Sequence, residues 1–333
     1  MLRRLALVAA AVPLLAGCAA GAEPSASGSA SPPESTTGPT TGPTTGPTDV
    51  STVTPTPTEE PPPPPAAFDP AAAYAWVEQL AGGIGPREAA SPAFLQAADL
   101  VEQRLAALGY VVERRPVDLP AGDSWGVPVP AGQSLSLVAT PAGFDPSAPH
   151  RVVGAHLDTV AVAPGAEDNA SGVGVLLELA RMAAEETPAL PVVFIAFGAE
   201  EPRGRGDDQH HFGSQAYVRD LSDAQRAAVA GMLALDRVGV PTDVLPVCHG
   251  GRSPDLVRDQ VLAAAERQAV PATACENRTS DHWSFEKAGV TVARIGSVPY
   301  EAYHSPRDLP AVVDPAQLDR AGRTAWEWLR SPA

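Results

Sequence analysis

The chain has 333 residues, enough for one large domain or two small ones, and a formal net charge of −16. A surface that acidic repels phosphate backbones, which excludes a basic-patch nucleic-acid binder. Lysine occurs once, at Lys287, while arginine, alanine, proline and glycine are abundant, a coding bias and not a chemical signal.

At the N-terminus, Arg3 and Arg4 precede an apolar run over 5–15. That run is shorter than the ~20 residues a membrane helix needs, so it reads as a targeting signal and not as a span. It ends in Leu15-Ala16-Gly17-Cys18, which resembles a bacterial lipobox. The resemblance implies a signal peptide over 1–17, cleavage before Cys18, lipidation of Cys18, and an extracytoplasmic protein anchored to the bacterial cell membrane; two acyl chains suffice for a stable anchor. The plainer alternative is a secretory signal with an incidental cysteine. Residues 18–66 are rich in Ser, Thr, Pro and Gly, with TTGPTTGPT and an unbroken proline run over 61–65. This composition buries no core and predicts a disordered, extended tether.

Globular composition begins at about residue 67 and continues to 333. Apolar spacing predicts helices over 71–80 and 94–108, the second closed by Gly109 as a C-cap. Alternation predicts a strand over 110–119, with further strands over 135–139 and 151–156. A helix is expected over 171–185. The run PVVFIAF at 191–197 is uninterrupted, as in a strand buried on both faces. A helix over 216–230, a strand over 232–236, a helix over 256–268, a strand over 290–295 and a closing helix over 315–329 complete the series. Strands alternating with helices predict an α/β fold: a single three-layer α/β/α domain with a largely parallel mixed central sheet.

Metal-ligating residue types stand where the predicted strands end, the edge at which α/β sheets collect ligands. His156 closes VVGAH, Glu200 and Glu201 follow VVFIAF, Asp236 follows MLAL, and His304 lies in the loop after VARIG. Asp168 sits in GAEDNASG before a helix, between Gly165 and Gly172. Alone, such an aspartate reads more readily as a helix N-cap than as a ligand, and adjacent Glu167 offers the same carboxylate. His156 and Asp158, two apart, face one way in extended backbone, so Asp158 can orient the imidazole while His156 binds a metal. Side chains of the adjacent Glu200 and Glu201 diverge, so one can ligate while the other reaches the attacking water. Proximity also raises one carboxyl pKa, which suits a general base. Together these residues meet the needs of two zinc ions and a base, the chemistry of a metallohydrolase.

HLDTV, EDNASG, AFGAEE, GSQAYV, LALDRVG, SDHWSF and YHSPRD, in that order, resemble the co-catalytic di-zinc exopeptidase family of bacterial leucyl aminopeptidases and aminopeptidase Y. The likeness covers about 68–333, including the opening GIGPREAASPAF. It implies that Asp168 bridges two zinc ions, that His156 and Glu201 complete one site, and that Asp236 and His304 complete the other. It further implies that Glu200 is the general base, that Tyr303 donates to the developing oxyanion, and that Asp158 and Asp308 support His156 and His304. Peptides are the implied substrates, with N-terminal residues removed by a monomer. Cobalt or manganese suits the same ligands.

The segment PRGRGDDQHHF after Glu201 is longer than the family's usual connection. His210 and His211 in it read as parts of a flexible polar loop, His282 as a pocket residue or a structural hydrogen-bonder, and Arg237 carries no assignable role. Export implies a disulfide between Cys248 and Cys275, the alternative being two buried thiols. Competing readings are a one-zinc glutaminyl cyclase, a carboxypeptidase or endo-acting hydrolase and, from another class, an inactive surface-anchored binding protein. The last would lack ligands, and here none of the expected ones is missing.

Overall fold

The computed structural model describes residues 66–296 and 298–332; the leader, Cys18 and nearly all of the tether lie outside the described residues. No helix among the described residues is long and apolar enough to cross a membrane.

The main sheet has eight strands in the order β1-β4-β6-β5-β7-β10-β8-β9. These are β1 (Val111–Leu119), β4 (Gly132–Thr140), β5 (His150–His156), β6 (Val192–Phe197), β7 (Val229–Leu235), β8 (Leu245–His249), β9 (Ala272–Glu276) and β10 (Val292–Ile295). Strands β6, β5, β7 and β10 run parallel to one another, and β8 runs parallel to β9. Pairs β1–β4, β4–β6 and β10–β8 are antiparallel, so the sheet is mixed with a parallel centre. A separate hairpin joins β2 (Gly122–Ser124) to β3 (Val127–Val129).

Strand β6 shows why the centre is parallel. Val192, Phe194 and Ala196 enter the core on one face, and Val193, Ile195 and Phe197 enter the core on the other. A strand with no polar face belongs between two helical layers. Helices α1 (Pro70–Val77), α2 (Pro92–Ala107), α3 (Ser171–Glu185), α6 (Leu256–Arg267) and α8 (Pro315–Arg330) cover the first face. Helices α4 (Phe212–Asp220) and α7 (His282–Lys287) cover the second, where Tyr217 and Phe285 lie against Phe197. Burying each such aromatic contributes on the order of 1.5–3 kcal/mol. Room for Phe197 comes from Gly154 on β5, where a Cβ would meet the ring at 2.4 Å.

The expected helix over 216–230 is two: α4, and α5 (Asp223–Ala228) with a Ser222–Gln225 capping box. Val229 already belongs to β7, because its burial comes from pairing beside β5. Strands β2, β3, β8 and β9 and helix α7 were not anticipated; most are short, and β9 alternates little because it is an edge strand. The disulfide Cys248–Cys275 joins partners in the β8–β9 register.

Candidate metal centre

The four central parallel strands deliver their carboxyl ends to one edge of the sheet. The ladder continues past the strand ends: Leu157 N–H donates to Phe197 O (2.8 Å), and Asp236 N–H donates to Ile295 O (3.2 Å). His156 and Asp236 are thereby held at the strand ends, whereas Glu200 and Glu201 stand three and four residues past β6, after Ala199 with φ 59°. Asp168 arrives from the turn Ala166–Ala170, where its own φ/ψ is non-helical. The N-cap of α3 is Ala170, so Asp168 caps nothing and its side chain enters the centre. Gly172 lets that helix approach β7; a Cβ there would lie 2.4 Å from Leu235 O.

Two triads share Asp168. In the first, His156 Nε2 lies 3.1 Å from Asp168 Oδ1 and 3.7 Å from Asp236 Oδ1. In the second, His304 Nε2 lies 3.2 Å from Asp168 Oδ2 and 3.2 Å from Glu201 Oε2. Within each triad the ligand atoms lie within 4.8 Å of one another, and all five residues are buried. The partition differs from the expected one: Asp236 stands with His156, and Glu201 stands with His304.

The donor set fits two divalent cations. Glu201 Oε1, Asp236 Oδ1 and both ring nitrogens of His304 are buried without a hydrogen-bond partner. Burial pushes Glu200 and Glu201 up to about 8, with Asp168 adding to both and Asp236 also to Glu200. Burial pulls His304 down, but Glu201 and Asp168 outweigh it and push it up to about 10. Carboxylates packed this closely demand compensating positive charge. Nitrogen and oxygen donors sharing a bridging carboxylate suit zinc.

The surrounding residues act differently from expectation. The Asp158 carboxylate accepts Glu200 N–H (3.0 Å) and Glu201 N–H (3.1 Å), so it fixes the acidic pair. Its backbone carbonyl meets His156 Nδ1 at 3.1 Å, and the carboxylate Oδ1 lies 3.9 Å from the same nitrogen. Asp308 accepts Glu167 N–H (2.9 Å), Asp168 N–H (3.2 Å) and the Tyr300 hydroxyl (3.0 Å), so it supports the bridging turn and not His304. Glu167 turns away to accept Gly239 N–H at 2.9 Å. His282 Nε2 meets Asn277 O at 2.8 Å, the structural role.

The segment after Glu201 is anchored, not a free polar loop. Buried Arg203 donates to Pro120 O (2.9 Å) and Pro130 O (2.8 Å) and pairs with Glu88. Asp207 accepts from Trp283 Nε1 (2.8 Å) and Lys287 Nζ (2.7 Å). His211 is buried, with Nε2 3.2 Å from Glu200 Oε1, and burial lowers it to about 4, which keeps the imidazole neutral. His210 lines the cavity.

Three further residues bear on the site. Trp125, half exposed at the tip of the β2–β3 hairpin, sets its ring edge-on 4.3 Å from His304. Arg294 Nη2 lies 2.9 Å from Asp236 Oδ2. Arg87, fully buried, donates to the carbonyls of Leu80, Gly85, Leu157, Pro164 and Gly165 and ties the N-terminal flank of the Asp168 turn to the segments around Leu80 and Leu157. A tryptophan in a polar turn and a lone arginine in the apolar strand VARI were the legible signals for the first two. Tyr303 stacks on His304 at 3.8 Å, with Arg237 over its ring at 4.5 Å. A cavity of about 140 Å³ opens over this group, lined by Trp125, Pro202, Tyr303 and Arg237 together with Asp168, Glu201, Asp236 and His304.

A model of peptidase family M28 matches residues 137–329. Aminopeptidase YwaD of Bacillus subtilis (strain 168) is 32% identical over 181 residues, covering 51% of this chain and 38% of that one. The chain thus spans well under half the length of that curated relative. A zinc aminopeptidase structure from Bacillus subtilis aligns with TM-score 0.69 and 20% identity over 78% of this chain and 94% of the other. Bacteroides thetaiotaomicron glutaminyl cyclase aligns with TM-score 0.69 and 22% identity over 81% and 100%. These two likenesses establish the fold.

Proposed function

The chain belongs to peptidase family M28, and on that premise we propose that it is a membrane-anchored, extracytoplasmic di-zinc aminopeptidase. The observation that carries the reading is the pair of triads sharing Asp168 at one sheet edge. His156, Asp168 and Asp236 would hold one ion, and Asp168, Glu201 and His304 would hold the other. Zinc bound there supplies Lewis-acid polarisation of the scissile carbonyl and acidification of the attacking water.

The chain's own groups do the rest. Glu200 accepts the proton of the attacking water as the oxygen–carbon bond forms, and delivers it to the amine as the carbon–nitrogen bond breaks. Asp158 keeps the Glu200 backbone in place, so the two glutamates point to different tasks. The Tyr303 ring is 38% exposed, but partial desolvation of its hydroxyl beside Asp168 and Glu201 pushes the phenol up, which keeps it a proton donor for the oxyanion. The carboxylates favour a substrate with a free α-ammonium group.

Aminoacyl-nitroanilides set against their N-acetylated counterparts test this reading. Free amines are expected to react roughly 10²-fold faster or more, since the blocked analogue leaves the ammonium subsite unpaired. Equal rates would make the enzyme endo-acting. The cyclase reading, raised by the Bacteroides neighbour, calls for about one zinc per chain and ring closure of N-terminal glutamine; both triads being complete favours two ions.

The anchor rests on Leu15-Ala16-Gly17-Cys18 and the tether after it, and the Cys248–Cys275 disulfide is consistent with an oxidising compartment. Cys18→Ala is expected to move the protein from the membrane fraction to the soluble fraction; retention in the membrane fraction would sink the lipid anchor.

A further inference from the structure

We propose that Arg237 recognises a carboxylate on the substrate, so that this pocket takes peptides bearing an acidic group next to the scissile bond. The inference deepens the aminopeptidase reading and rests on it.

Arg237 follows the ligand Asp236 directly and adopts φ 59°, a left-handed conformation that favours glycine. The turn is held in place: Asn169 Oδ1 accepts Arg237 N–H at 3.1 Å, while Asn169 Nδ2 donates to Leu235 O at 2.8 Å. This backbone sends the side chain across the mouth of the centre, where it lines the cavity with Trp125, His210 and Thr279. The guanidinium lies over the Tyr303 ring at 4.5 Å, and Nε is 3.7 Å from Asp236 Oδ1. One planar cation thus stands beside Asp236 of the first triad and Tyr303, the neighbour of His304 in the second.

Two arginines serve Asp236 unequally. Arg294 is completely buried, bonds Asp236 Oδ2, and also donates to Asn277 Oδ1 (2.7 Å) and Thr279 Oγ1 (3.1 Å); its work is to hold the ligand. Arg237 keeps an exposed fraction of 14% on the cavity side. Among the described residues that line the cavity, Arg237 is the only arginine or lysine. A guanidinium fork is the group that grips a carboxylate in two-point fashion.

That carboxylate has two possible sources: the side chain of an N-terminal acidic residue, or the free C-terminus of a dipeptide. Two isosteric substrate pairs separate them, glutamyl- against glutaminyl-nitroanilide, and Leu-Gly against its amide. The wild type is expected to favour the acid member of one pair by about 10–100-fold in kcat/KM, and Arg237→Gln to lose about 10-fold or more of that preference. Calorimetric titration of glutamate and of Leu-Gly against their amides follows the same contrast without turnover. If no peptide is cleaved but acid-selective binding persists and falls in Arg237→Gln, the function fails and the carboxylate site stands. No acid preference in wild type, an equal fall for both members of each pair, or a variant that sheds zinc would show that Arg237 only braces Tyr303 and Asp236, and would overturn the proposal.

Discussion

Glu200→Gln is expected to keep about two zinc ions per chain and to lose about 10²–10⁴-fold in kcat, the range a single general acid–base group supplies. The amide preserves the shape of the side chain but does not accept the water proton. Metal retention follows from the geometry: Glu200 belongs to neither triad, and Oε1 lies towards His211 at 3.2 Å. Elemental analysis and initial rates on the same sample make the test. Normal turnover with full zinc would remove Glu200 from the mechanism. Zinc loss with parallel activity loss would make it a ligand.

Asp168→Asn has the other large expected effect, because Asp168 is the residue common to both triads. Zinc content is expected to fall from about two per chain to below about one, with activity falling with it. Asp236→Asn and His156→Ala are each expected to weaken one ion, and the same ion. Combining those two should therefore cost no further metal, whereas Asp236→Asn with His304→Ala should empty both sites. The opposite pattern would restore the partition of His156 with Glu201 and Asp236 with His304. Thermal melting adds a second readout. Ions that bind only the folded state stabilise by mass action, so chelation should lower the melting temperature of the wild type far more than that of Asp168→Asn.

Much of the fold was legible because its signals are local. The two-sided apolar run of β6, the amphipathic spacing of α2 and the Gly109 stop depend on neighbours along the chain. The helix–strand switch at Val229 was not legible, because its burial comes from β5, about 80 residues earlier in the chain. Among the candidate ligands, His156, Glu201 and Asp236 were readable as metal-binding types at or just past strand ends, while Asp168 lies in a turn before a helix and His304 nine positions beyond β10. The hold of Asp158 on the Glu200 and Glu201 N–H groups was not legible, and the role of Asp308 was misread, because proximity to a histidine in sequence says nothing of which N–H a carboxylate finally accepts. His211 was read as part of a mobile loop, since the anchors Arg203 and Asp207 bind partners far away in sequence.

By itself, then, the sequence determined the layer architecture, the sheet edge that carries the chemistry and the identity of the side chains there. Tertiary structure alone decided how the ligands pair. Sheet order puts β5 between β6 and β7, so by itself it offers His156 either Glu201 or Asp236 as its companion. His304, however, stands nine positions beyond Ile295, on a loop whose Asp308 docks on the backbone of Glu167 and Asp168. That docking carries the imidazole away from Asp236 to Glu201. Which ligands share an ion was set by where a long loop finds its hydrogen bonds, a contact between segments some 140 residues apart.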